Sequence, residues 1–154
     1  MRIGVRLGVD VGTARVGVAR CDAHGILATP VETLPRKKGL MAGIHRLVAE
    51  WEPIEIVVGL PIALSGSETA STQDARDVAA LIARQVAVPV RLVDERLTTV
   101  SAARSLRESG RDGRTSRAVI DQAAAVILLQ HALDHEKSRG EAPGELLVPD
   151  GGSP

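Results

Sequence analysis

The sequence predicts an α/β protein: a mixed sheet of about five strands, in the order βββαβαβαα, covered by helices. Two observations carry this. The chain opens on three short β-rich runs with turns between them, and it then alternates near-continuous apolar runs with stretches of helical spacing. The first pattern belongs to antiparallel strands, the second to parallel β–α units.

Leu7–Asp10 and Arg15–Arg20 flank Gly12-Thr13-Ala14 and read as a hairpin. Ile26–Leu34 is the third strand. Pro30 within it and Pro35 after it suggest an edge or a bulge. From Gly39 to Glu52, Leu40, Ile44, Leu47, Val48 and Trp51 share one helical face, and Pro53 ends the helix. "IEIVVGL" (Ile54–Leu60) is apolar almost throughout, as a strand buried on both faces requires. After a Ser/Gly/Thr-rich loop, Ser71-Thr72-Gln73-Asp74 resembles a capping box that opens a helix with Val78, Leu81, Ile82 and Val86 inward. "VRLVD" (Val90–Asp94) is the next strand. Thr98 or Thr99 can cap a helix to about Ser109, "GRDGRTS" is a loop, and a long helix runs from Arg117 to about Lys137. Residues 1–138 are expected to form one domain, and the Gly- and Pro-rich residues 139–154 a disordered tail.

The bulk numbers exclude several classes. A chain of 154 residues that is 44% hydrophobic suits one domain with a real core. Lys+Arg and Asp+Glu both number 19, so net charge points to no polyanionic partner and local clusters must be read instead. Trp51 is the sole aromatic, which argues against a base-stacking single-strand binder. Cys21 alone cannot build a disulfide framework and suits a reducing cytosol; it reads as structural, or at most as a link between two chains if the end of the second strand reaches the surface. No apolar run approaches the ~18 residues of a membrane span, and the N-terminus lacks a signal pattern. A soluble, cytoplasmic protein without a membrane partner, monomer or homodimer, is expected.

Carboxylates stand where the core should be. Asp10 ends the first strand. Asp94 and Glu95 end "VRLVDE". Asp121 shares a helix face with Ala124, Ala125, Leu128 and Ala132. Each also has a plainer reading. Asp10 suits the turn amides of Gly12 and Thr13, Asp94 or Glu95 suits a pair with Arg96, and Asp121 suits an exposed face if the helix phase is otherwise. Together they are better explained by a shared cation. Strand C-termini of parallel units gather at one sheet edge, where functional sites concentrate. Asp10 joins that edge only if the first strand runs beside and parallel to "IEIVVGL". Oxygen-only ligands suit Mg²⁺ or Mn²⁺ rather than zinc, and two such ions about 4 Å apart serve phosphodiester cleavage.

Four blocks in order, "LGVDVGTARVGVA", "IVVGLP", "VRLVDERLTT" and "VIDQAAAVILLQ", resemble the YqgF family, also called RuvX, from Leu7 to about Leu133. The resemblance implies a ribonuclease-H-like fold and a Mg²⁺-dependent nuclease acting on structured nucleic acid. In bacteria the family is linked to maturing the 5′ end of the small-subunit ribosomal RNA precursor, with resolution of branched DNA as the competing assignment. By position it implies Asp10 as the first-strand metal ligand, Glu95 as the second acid with Asp94 as a helper, and Asp121 as the helix acid. The sequence departs from the family where an aromatic is expected in the helix after "GLP", a region holding Val78 and Leu81, and where His131 stands near another such position.

Arg104, Arg107, Arg111, Arg114 and Arg117 form a net-positive segment leading into the Asp121 helix. It could hold phosphates beside the metals, or be a solvated face and loop. Arg96 could orient Glu95 or contact phosphate. Ser65, Gly66 and Ser67 could offer amides to a phosphate, and Arg36-Lys37-Lys38 reads as a basic loop. His131 and His135, four apart but without a third partner, read as surface residues, because the neighbouring Glu136 and Lys137 suggest an exposed helix end. "DVGTARVGVA" also resembles the first phosphate loop of the actin, chaperone and sugar-kinase superfamily, but those enzymes close two such domains around a nucleotide. A non-catalytic nucleic-acid binding module is the other rival.

Overall fold

A computed structural model describes residues 1–97 and 114–147. The helix expected to Ser109, the "GRDG" stretch and Thr98 and Thr99 lie outside the described residues. The elements are β1 (Arg6–Val11), β2 (Arg15–Cys21), β3 (Ala28–Pro35), α1 (Leu40–Trp51), β4 (Glu55–Leu60), α2 (Ala70–Gln85), β5 (Val90–Asp94), a 3₁₀ turn (Glu95–Leu97), α3 (Arg114–Arg139) and β6 (Glu145–Leu147).

The sheet order is β3-β2-β1-β4-β5-β6. β1, β2 and β3 form an antiparallel meander, and β1, β4 and β5 run parallel. The prolines place β3 at the edge, and the β2–β3 register shifts between Val18 and Ala19, where Ala19 faces Pro30. Glu52 takes a left-handed conformation (φ 45°) before Pro53, which cannot continue α1. The capping box of α2 lies two residues earlier than expected: Thr69 is the N-cap and Thr72 its reciprocal partner. Asp74 is instead taken by Arg36.

Two corrections concern the ends of the chain. The sheet has six strands rather than about five, because Glu145–Leu147, expected within a disordered tail, pairs antiparallel with Val90–Leu92. Gly144 (φ 75°) makes this feasible, since a β-carbon there would collide with the Leu92 carbonyl. Glu136, expected at an exposed helix end, is buried. It accepts from Arg2 Nη2 at 2.6 Å and Arg6 Nη2 at 3.0 Å, while Glu55 pairs with Arg2 and Arg91. This network ties the first residues of the chain to α3 and β4.

Alternation divides the core. Leu7, Val9, Val16, Val18, Ile56, Val58 and Leu92 meet α1 and α2 on one face. Ala19, Cys21, Val57 and Val93 meet Ala124, Ala125, Leu128 and Leu129 of α3 on the other. Val78 and Ile82 fill the α2 side with aliphatic volume. Cys21 is buried, which fits the structural reading, and its Sγ accepts from the Arg6 amide at 3.2 Å. Burial, the larger effect, raises its pKa.

Candidate active site

The site follows from three glycines on the α3 face. On β1, Gly8 and Asp10 point the same way. A β-carbon on Gly8 would stand 2.8 Å from Leu129 Cβ and 3.0 Å from the Ala125 carbonyl, so α3 lies almost on the backbone of β1. Gly17 is paired with Asp10 across the hairpin, and a β-carbon there would overlap the Asp121 carbonyl. Asp121 therefore lands over the strand pair that carries Asp10. On the other flank, the Val9–Val58 register continued by one residue sets Asp10 beside Gly59. A β-carbon on Gly59 would lie 2.5 Å from Glu95 Oε1. The glycine of "VVGLP" is thus the floor on which Glu95 rests.

The condition set by the sequence, a first strand parallel to "IEIVVGL", is met. It brings Asp10, Glu95 and Asp121 together on one face, at exposures of 0%, 4% and 1%. The plainer reading of Asp10 loses one of its two amides: Gly12 N–H donates to the Arg15 carbonyl at 2.9 Å. Asp121 is not on an exposed helix face.

Asp94 does not join them. It pairs in register with Leu60, which faces α1 and α2. Its carboxylate accepts from the Arg96 amide at 2.8 Å and from Arg96 Nη2 at 2.6 Å. The Arg96 guanidinium beside it holds it below the usual aspartate range. Its place is to cap the 3₁₀ turn that swings Glu95 over Gly59. Arg96 is exposed and reaches toward Gly66, the loop after "GLP". Arg114 and Arg117 belong to the first turns of α3, while Arg104, Arg107 and Arg111 lie outside the described residues.

Two arginines are part of the site although the sequence reading gave them no role in it. Arg15 Nε donates to Asp121 Oδ2 at 2.8 Å. Arg36 forks onto Asp74 at 2.8 and 2.9 Å and also donates to the Gly12 carbonyl at 2.8 Å, pinning the hairpin turn to α2. Arg15 lies two residues before Gly17 on the same strand face, a period-2 signal available in the sequence; the Arg36–Asp74 pair spans 38 residues and has no local signal.

The donor set is three buried carboxylates, which suits a hard divalent cation. Among the described residues no three His, Cys, Asp or Glu side chains are drawn close enough to hold an ion as arranged, and Arg15 lies on Asp121. His131 and His135 are half-buried, with ring centroids 6.4 Å apart. Burial, and then His135, hold His131 below the usual histidine value.

The close crossing at Gly17 gives a test. Gly17→Ala should destabilise the protein by about 2–3 kcal/mol, because its new methyl meets helix backbone rather than a yielding side chain. Denaturant unfolding checks it; a change within about 0.5 kcal/mol would mean that α3 does not lie against β2 as described.

A sheet of this order with α3 laid across it is a ribonuclease-H-like fold, and the solved structures agree. RuvC of Thermus thermophilus in complex with a Holliday junction substrate is similar over 94% of this chain and 99% of that one, with a TM-score of 0.57 and 17% identity. The model of the RuvX family, described as Holliday junction resolvase, matches residues 4–135. The candidate pre-16S rRNA nuclease of Clavibacter michiganensis is 56% identical over 150 residues, 96% of this chain and 93% of that protein. Its counterpart in Nocardioides is 56% identical over 153 residues, 96% and 98%. The chain belongs to the RuvX family.

Proposed function

We propose that this protein is a divalent-metal-dependent endonuclease that trims the 5′ end of the small-subunit ribosomal RNA precursor in the cytoplasm. The observation that carries this is the convergence of Asp10, Glu95 and Asp121, three buried acids from three elements, on one face of the sheet. Relatives 56% identical over nearly the whole chain bear the corresponding name. Asp10, Glu95 and Asp121 would hold Mg²⁺ or Mn²⁺. Such an ion, when bound, supplies activation of water and stabilisation of the leaving oxygen. The chain's own groups do the rest. The low exposure of the acids excludes bulk water. Asp94 fixes the turn that presents Glu95, and Arg36 fixes the turn after Asp10. Arg96, beside the Ser65–Ser67 loop, would meet the backbone of the nucleic acid.

A second reading, cleavage of branched DNA, is favoured by the family description and by the likeness of the fold to RuvC. One experiment separates the two. Purified protein with Mg²⁺ or Mn²⁺ is offered a precursor RNA carrying the 5′ leader and a four-way DNA junction, and the cuts are mapped. Defined cuts near the mature 5′ end of the RNA are expected. Cuts confined to the junction would replace the first reading by the second, and cleavage of neither would remove both.

Arg107, Arg111, Arg114 and Arg117 supply phosphate contacts in this proposal, since their segment leads into the helix that carries Asp121. Replacing Arg111 and Arg114 by alanine should weaken binding and flatten the log–log salt dependence by about one to two units. An unchanged slope would show that these side chains do not touch the backbone.

A further inference from the structure

Arg15 opens β2 and shares the α3-facing side of that strand with Gly17, the residue over which Asp121 lies. Its Nε reaches Asp121 Oδ2 at 2.8 Å. The two partners are unequal: the Asp121 side chain is 1% exposed and that of Arg15 is 29% exposed. The carboxylate is fixed in the interior, while the cation retains a route to solvent. Three carboxylates gathered on one buried face require positive charge. Arg15 supplies one such charge from within the chain, on an acid that the proposed ion would use.

We propose that Arg15 is a placeholder cation. It holds Asp121 in the metal-free protein, competes with the divalent ion for that carboxylate, and leaves it when the ion binds. The inference rests on the metal-dependent reading of the acidic site. It makes Arg15 a positioning residue, acting through Asp121 rather than on the substrate. A guanidinium bound to one acid keeps it turned to its own partner, and the apparent affinity for metal falls by the fraction of molecules in which that acid is engaged.

The test uses the full chain and Mg²⁺ alone, without nucleic acid. Calorimetric titration at fixed ionic strength should show Mg²⁺ binding about tenfold tighter in Arg15→Gln than in wild type, the scale set by removing a competing charge-assisted hydrogen bond. The variant should also melt at a lower temperature in chelator and regain the difference at saturating Mg²⁺. Equal or weaker Mg²⁺ binding in a folded Arg15→Gln would overturn the proposal. Should that variant fail to fold, the wild type decides by nitrogen-15 NMR. The Arg15 Nε–H resonance, identified by its absence in Arg15→Lys, should shift on saturation with Mg²⁺. A resonance that stays in place while calorimetry records Mg²⁺ binding would sink this inference and leave the metal-dependent reading standing. If wild type binds no Mg²⁺ at all, both fall together.

Discussion

Asp10→Asn should lower the cleavage rate at least about a thousandfold while nucleic-acid binding in chelator stays within about twofold of wild type. The substitution keeps the shape of the side chain and removes its charge. At 0% exposure in a strand whose six residues are all buried, shape governs packing and charge governs what the site can hold. In the proposed mechanism the ion supplies several kcal/mol of transition-state stabilisation, and about 4 kcal/mol is a thousandfold. Binding should survive because the proposed phosphate contacts, Arg96 and the arginines before Asp121, are untouched. The turn after Asp10 should survive too. Its Gly12 N–H is satisfied by the Arg15 carbonyl, and its Gly12 carbonyl is held by Arg36. Rates on the precursor RNA and on the four-way junction, with binding measured separately, test the assignment. A variant that keeps a tenth of its activity, or one that fails to fold, would make Asp10 a structural residue.

How much of this was legible in the sequence depends on how far apart the interacting residues stand. The strands were, because "LGVDV" and "IEIVVGL" are apolar runs and their faces follow from a period of two. That periodicity set Asp10 with Gly8 and against the alternating Leu7, Val9 and Val11. The helix phase placed Asp121 with Ala124, Ala125 and Leu128, all of which are buried against the sheet. The acids could be gathered on paper because each sits at the end of a run or on an apolar stripe. What remained hidden was long-range or depended on backbone fit. Glu136 looked exposed because its partners Arg2 and Arg6 come from the other end of the chain, 134 and 130 residues away. β6 looked like tail because Gly140 and Gly144 resemble disorder in composition, whereas at φ 76° and 75° they are turn residues. Asp94 looked like a helper to Glu95 because they are neighbours; strand pairing separates them, with Asp94 beside Leu60 and Glu95 over Gly59.

Glu136→Gln should destabilise the protein by about 3 kcal/mol at pH 7, and the difference should vanish as the pH falls toward 2. The hydrogen bonds from Arg2 outweigh the effect of burial and, with the charges of Arg2 and then Arg6, hold the Glu136 carboxyl down to about 2, against an ordinary value of 4.5. A depressed carboxylate pKa stabilises the fold above the unfolded value and ceases to do so as the folded value is approached from above. The contribution is therefore complete above pH 4.5 and is lost between there and about pH 2. Glutamine cannot carry the charge at any pH, so the variant should lack this acid transition from the start. The partners set the salt response. Arg2 is 43% exposed and its share is screened, whereas Arg6, at 2%, is buried and would be left uncompensated. High salt should thus remove only part of the difference. In a chain of this size about 3 kcal/mol corresponds to a Tm lower by roughly 6–12 °C. Melts of both proteins between pH 2 and 8, at low and high salt, decide the matter. A gap that persists unchanged at pH 2 would assign the loss to packing at Glu136, and a gap abolished by salt would assign it to the exposed Arg2 pair instead of the buried Arg6 pair.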